Sequence, residues 1–338
     1  MPIVQLSIPA DRIQGFNYHP SYASCAFETW RHFDAEVFQR ELGKGKEYFP
    51  KMNAVRLWLS WDAFTKNPSK FIDAVRTALD ICDKLNLKAI LVLFNRWHEG
   101  VNDCGGIYID HFLPKASWIQ NSSSGARPPT DAYVQAMADA FKNDGRILGW
   151  DLCNEPFAII EGCEWLELIE KYELEWLKNV AFILRQGGIT QPVGIGSFNH
   201  WHDEKIKDLV DCFFTHLYFW FDASKHVETI TQADKDNFQK KIDLLLAIPK
   251  AVGKPVVVTE TFWGSFSDEF RIQNVAATLE LFRKNHIGFL GYSLYESDIA
   301  DIHRPEIGAL NPTIGHLEFI YKDGTLRPGH DIVNQYMQ

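Results

Sequence analysis

Apolar residues in this chain fall into short runs, alternating with stretches that repeat an apolar position every three or four residues. The runs over 12–18, 54–60, 88–94, 147–153, 192–196, 211–218, 255–260 and 288–292 each predict a strand. Several are apolar nearly throughout, as strands buried on both faces are. Between them, helical spacing predicts helices over 35–42, 71–82, 131–141, 164–185, 236–247 and 268–285. Asp34 can cap the first of these, Gly43-Lys44-Gly45 is read as breaking it, and Gly187-Gly188 stops the fourth. Residues 95–130, with Gly, Ser and Pro clusters, predict a long excursion after the third strand, where loops tend to carry function. Repeated strand-then-helix units favour parallel strands, and eight of them favour an α/β fold of the closed (β/α)8 (TIM) barrel type. No repeat or composition break divides the chain, so residues 1–338 are expected to form a single (β/α)8 domain.

Composition narrows the function. The formal net charge is −10, and no basic face offsets it, which argues against nucleic acid as a partner. No run reaches the roughly 20 apolar residues of a membrane span. The N-terminus lacks a basic region followed by a long apolar one. Six scattered cysteines form no Cys-x-x-Cys pair, and Cys82, Cys153 and Cys212 read as small buried hydrophobes. A reduced, cytoplasmic protein is therefore expected; a secreted chain trimmed of its leader would read the same. Aromatic residues reach 14%, enough both for a barrel core and for a cleft that stacks on sugars.

The candidate chemistry lies at strand ends. The fourth strand runs into Asn154-Glu155-Pro156, where Pro156 removes a backbone donor, and the seventh ends Val256-Val257-Val258-Thr259-Glu260. Both glutamates would stand on the carboxyl rim, where barrel enzymes keep their chemistry. A lone strand-end Glu can be structural, paired with Arg or Lys. Two in this register suit hydrolysis of a glycosidic bond, in which one carboxyl protonates the leaving oxygen and the other attacks.

With these motifs the chain resembles the clan A glycoside hydrolases, most closely family-five-like cellulases and β-glycosidases, over nearly the whole barrel. The resemblance implies a retaining glycosidase needing no cofactor and acting on a β-linked glycoside or oligosaccharide. It implies Glu155 as acid/base, Glu260 as nucleophile, and Asn154 as the partner of the sugar 2-hydroxyl. His216 and Tyr218, as His-x-Tyr on strand six, match a pair beside the nucleophile, and Arg56 in Val-Arg-Leu-Trp matches the strand-two Arg that holds it ionised. Glu260 in turn is expected to raise the pKa of Glu155 by its charge. Where the family usually has a Trp at the end of strand eight, this chain has Tyr292 or Tyr295; His98 comes slightly late for the family's His after strand three. Trp58, Trp61, Trp97, Trp201, Trp220 and Trp263 follow strand ends, and Trp97 and Trp263 are candidate sugar contacts with Tyr292 and His98.

Two other readings stand beside this one. His200-Trp201-His202 could supply two ligands of a metal-dependent hydrolase, although it follows the short fifth strand without a matching cluster. A barrel that binds carbohydrate without cleaving it is the other, against which both carboxylates are present. Gly194-Ile195-Gly196 reads as a crowded strand end and not as a phosphate loop. The sugar, its linkage, endo or exo action and the oligomeric state stay open at this point.

Overall fold

In the computed structural model, which describes residues 4–96, 129–157, 166–198, 200–220, 229–298 and 315–338, eight parallel strands close into a barrel in chain order. They are β1 (Gln14–Asn17), β2 (Ala54–Trp58), β3 (Lys88–Val92), β4 (Ile147–Asn154), β5 (Val193–Phe198), β6 (Phe213–His216), β7 (Val256–Thr261) and β8 (Gly288–Gly291). The helices are α1 (Ala26–Arg31), α2 (Ala35–Tyr48), α3 (Trp61–Lys66), α4 (Pro68–Lys84), α5 (Asp131–Phe141), α6 (Leu166–Gln186), α7 (Asp203–Ile206), α8 (Gln232–Val252) and α9 (Asp268–Lys284). All eight predicted strands are present, and the (β/α)8 barrel expected from them is the fold. Most of the excursion over 95–130 lies outside the described residues.

The floor of the barrel is an apolar layer in which Ala54, Ile90, Phe214, Val257 and Leu290 are buried together, closed from below by Leu6, Ile8 and Ala10. Phe214 needs room there: a Cβ on Gly149 would stand 2.9 Å from its ring, and one on Gly194 would collide with it. Strand alternation then carries Arg56, two residues after Ala54, and His216, two after Phe214, to the layer above. Glu260 is three residues from Val257, a spacing that alternation alone would turn outward. Register shifts at Thr215/His216 and Val258/Thr261 bring it back in, as bulges do at barrel rims.

Several helix limits differ from the sequence reading. Asp34 caps α2 as expected, accepting from Glu36 and Val37 N–H, but the helix runs on through Gly43 and Gly45 to Tyr48. Gly45 is there for packing, since its face lies against the buried Leu294. α8 starts earlier than read, at a capping box of Thr231 and Asp234, and continues past Pro249 to Gly253 in the left-handed conformation. The short α1 and α3 went unpredicted; Ser60 caps α3 and Asn67 caps α4. Cys82, Cys153 and Cys212 are fully buried, as read. Among the described residues no helix is long and apolar enough to cross a membrane.

The two glycines of α2 give opposite expectations. A Cβ at Gly43 meets nothing within 4 Å, whereas one at Gly45 would lie 2.8 Å from Leu294 Cδ2. G43A should stabilise the fold by about 0.5–1 kcal/mol through helix propensity, and G45A should lose that gain to about 1–3 kcal/mol of overpacking. Denaturant midpoints of the two variants check this ordering.

Candidate active site

Arg56 is completely buried at the centre of β2. Its Nε and Nη2 donate to Asp151 Oδ2 at 3.1 and 2.9 Å, and Nη2 also donates to Asn154 Oδ1 at 2.9 Å. Its Nη1 donates to Asn17 Oδ1 at 3.0 Å and to Glu260 Oε1 at 2.5 Å. Asp151 Oδ1 accepts the Gly196 N–H at 2.8 Å, and Asn154 Nδ2 donates to Asn95 Oδ1 at 3.0 Å. Strands β1, β2, β4, β5 and β7 thus converge on one guanidinium. The sequence alone assigns no role to Asn17, Asn95 or Asp151. Polar residues at strand ends were the available signal, but their partners are set by the closure of the barrel.

Glu155 and Glu260 face each other above this network. One carboxylate oxygen of each and a ring nitrogen of His216 all lie within 4.8 Å of one another. His216 Nδ1 is 2.7 Å from Glu155 Oε1 and 3.5 Å from Glu260 Oε2. Tyr218, just beyond β6, donates its hydroxyl to Glu260 Oε2 at 2.8 Å. Arg56 and Tyr218 therefore hold the two oxygens of Glu260 from different sides.

The electrostatics differ from the expectation in one respect. Burial pushes the Glu155 carboxyl up to about 7, opposed by the charge of Arg56. Desolvation, and not the charge of Glu260, is the cause. His216 is pushed down to about 4, first by burial, with Arg56 acting in the same direction against Glu260 and Asp151. Its neutral ring can donate from Nδ1 to an ionised Glu155 or accept from a protonated one. The Tyr218 phenol is driven well up by burial and by Glu260, so it stays a donor.

One wall is aromatic. Tyr292 and Leu317 are buried beside Trp58 and Trp263. Trp263 meets the Tyr218 ring edge-on at 5.2 Å and the exposed Trp220 at 5.3 Å. His19, also missed in the sequence, packs edge-on against Trp58 at 4.9 Å and Tyr292 at 5.7 Å. Burial and Arg56 push its pKa down to about 3. Of the predicted site residues, Arg56, Asn154, Glu155, His216, Tyr218, Glu260, Trp263 and Tyr292 come together here. Trp97 and His98 lie outside the described residues.

Among the described residues, Glu155, His216 and Glu260 are also the group of His, Cys, Asp or Glu donors close enough to share a metal ion. A cation there would have to sit beside Arg56, which already occupies Glu260 Oε1. His202 packs on Phe157 at 4.9 Å and faces Glu170 at 3.8 Å, so the His200–His202 pair is not part of this cluster.

A (β/α)8 barrel with two glutamates at this separation, ending strands four and seven, is the architecture of a glycoside hydrolase of the two-carboxylate kind. The family comparison agrees: the model described as cellulase (glycosyl hydrolase family 5) matches residues 50–298, and the chain belongs to that family. A mannan endo-1,4-beta-mannosidase of Mytilus edulis is 25% identical over 161 residues, 42% of this chain and 41% of that protein. An exo-beta-1,4-mannosidase from Opitutaceae bacterium strain TAV5 superposes with a TM-score of 0.70 at 17% identity, over 100% of this chain and 62% of that one. A broad-specificity endoglucanase from Clostridium longisporum gives 0.68 at 15% identity, over 98% and 97%. The chain thus spans less than two thirds of either mannosidase.

Burial of Glu155 has a stability consequence. A carboxyl whose folded-state pKa lies above its unfolded value binds its proton more tightly in the folded chain. Stability is therefore lost as pH rises from the ordinary 4.5 through about 7. E155Q removes the ionisation, so it should exceed the parent by on the order of 2–3 kcal/mol near pH 9 and lose that advantage near pH 4. Unfolding curves of both proteins across that range test it.

Proposed function

We propose that this protein is a retaining β-glycoside hydrolase in which Glu260 is the nucleophile and Glu155 the acid/base. The observation that carries the reading is the approach of the two carboxylates, with oxygens within 4.8 Å. Retaining pairs stand about 5–5.5 Å apart, whereas inverting pairs leave about 6.5–9.5 Å for a water. Glu260, oriented by Arg56 and Tyr218, attacks the anomeric carbon while Glu155 gives its proton to the departing oxygen. The bond to the leaving group breaks as the glycosyl ester forms. Glu155, now an anion that His216 can stabilise by donating from Nδ1, takes a proton from the water that cleaves the ester. A group with pKa about 7 serves both steps near neutrality. Asn154, fixed by Arg56 and Asn95, would offer its second amide hydrogen to a sugar hydroxyl. The aromatic wall of Trp263 and Tyr292 would take the apolar face of the ring.

The two mannosidases among the relatives support β-1,4-linked mannosides as the substrate class, and the endoglucanase supports β-glucosides as the second class to assay. Carbohydrate is the only partner this reading requires.

Two tests follow from the assigned roles. E260A should abolish turnover of every substrate, whereas E155A should still form the glycosyl ester from aryl glycosides with good leaving groups. That ester should accumulate, and added azide should release it as a β-glycosyl azide. Formation of a β-glycosyl azide by E260A, and of an α-glycosyl azide by E155A, would exchange the two roles. In the parent, cleavage of substrates with poor leaving groups should decline as pH rises through about 7, because only protonated Glu155 can act as acid. A pH–rate profile of kcat/KM tests that limb.

A further inference from the structure

Glu173 lies on α6 and is fully buried, yet it has no part in the scheme above. Its Oε2 accepts the Phe157 N–H at 2.9 Å, and its Oε1 faces Arg96 Nε at 3.1 Å. Phe157 is two residues after Glu155, and both have left-handed backbones, with φ of 63° and 45°. Such conformations cost a non-glycine residue about 1–3 kcal/mol and persist only where the surroundings hold them.

The barrel ladder fixes this segment up to the glutamate. Asn154 N–H donates to Phe94 O at 2.8 Å, Arg96 N–H to Asn154 O at 3.0 Å, and Glu155 N–H to Gly196 O at 2.8 Å. Beyond that point the chain leaves the sheet, and among the described residues the next backbone hydrogen bond that restrains the turn is the one from Phe157 to Glu173. Arg96 joins the two levels, since its backbone holds Asn154 while its side chain faces the carboxylate of Glu173. A buried carboxylate is an expensive way to tie down a backbone N–H when apolar packing would stabilise the fold as well or better. Its presence under a strained turn is better explained by what the turn carries.

We propose that Glu173 is a positioning residue, clamping the left-handed turn at Phe157 so that the carboxyl of Glu155 is aimed at the glycosidic oxygen. This rests on the reading of Glu155 as the acid/base. Misplacement of a reacting group by about 1 Å can lower a rate by about 10²-fold, so loss of the clamp should be felt where proton donation matters.

Removing Glu173 alone leaves the Arg96 charge facing an apolar side chain, so the test variant is R96M/E173M, with E173Q as the conservative one that keeps a carbonyl acceptor. The probes are the phenyl and 2,4-dinitrophenyl β-glycosides of the sugar the parent hydrolyses, with amide hydrogen exchange at Phe157 as a readout independent of activity. The double variant should lose about 10²-fold in kcat/KM on the phenyl glycoside but less than about threefold on the dinitrophenyl one, whose departure needs no acid. Its Phe157 amide should exchange faster, and E173Q should retain most of both properties. An active parent whose double variant loses both substrates equally, or keeps Phe157 protected, would overturn the positioning role alone. A parent inert toward both glycosides would overturn the catalytic reading and this proposal with it.

Discussion

A guanidinium that water cannot reach must find its partners inside the protein, and much of the rim of this barrel is arranged around that requirement for Arg56. Asp151 accepts two of its donors and Asn17, Asn154 and Glu260 accept others. Truncating any of them leaves donors buried and unpaired, a situation that costs about 3–5 kcal/mol where the missing partner is charged. The constraint reaches residues that make no polar contact themselves. A side chain at position 196 would place a Cβ 2.7 Å from both Arg56 Nη2 and Asp151 Oδ2, so glycine is the residue that lets β5 pass. The crowded strand end read from Gly194-Ile195-Gly196 is therefore crowded twice, by the Phe214 ring below and by the Arg56 network above.

The same guanidinium explains why the two glutamates differ. The sequence suggested that a negative Glu260 would push up the pKa of Glu155. Arg56 lies between that idea and the result: it pairs with Glu260, and its positive charge acts on Glu155 in the lowering direction. What remains is burial. Glu155 meets a neutral His216, while Glu260 meets a cation and a phenol. Two identical side chains beside one imidazole thus have different neighbours, a neutral ring for one and a cation and a phenol for the other, the kind of contrast that sets paired carboxyl groups apart.

Strand positions, the barrel they build and the glutamate pair were legible because each depends on local pattern: apolar runs, turn residues and the place where a run ends. Asp151 was part of a motif that was read, yet its role was not, because a buried acidic residue in an apolar strand gains meaning only from a cation on another strand. Asn17, Asn95 and His19 escaped for the same reason. The register shifts that turn Glu260 inward left no mark in the sequence, where Val257 and Glu260 have the wrong spacing for one face. Gly45 misled in the opposite sense: a residue that often breaks helices serves here to let α2 approach Leu294.

The five non-glycine residues with positive φ among those described separate into two kinds. Asn86 and His286 stand just past the ends of α4 and α9, where a left-handed residue commonly closes a helix. Glu155, Phe157 and Phe262 stand on the rim. Phe157 follows Glu155 by two residues and Phe262 follows Glu260 by two, and both rings are buried, at 2% and 0% exposure. Phe262 packs against Phe289 and Phe319, and Phe157 against His202. In both places the chain turns sharply away from the barrel directly after a carboxylate, and an aromatic ring driven into the interior secures the turn. Hydrophobic burial of a Phe side chain is worth about 1.5–3 kcal/mol, comparable to the strain of one such residue. Each carboxylate is thus held between a hydrogen-bonded strand on one side and a buried ring on the other, so that its direction is set before any substrate arrives.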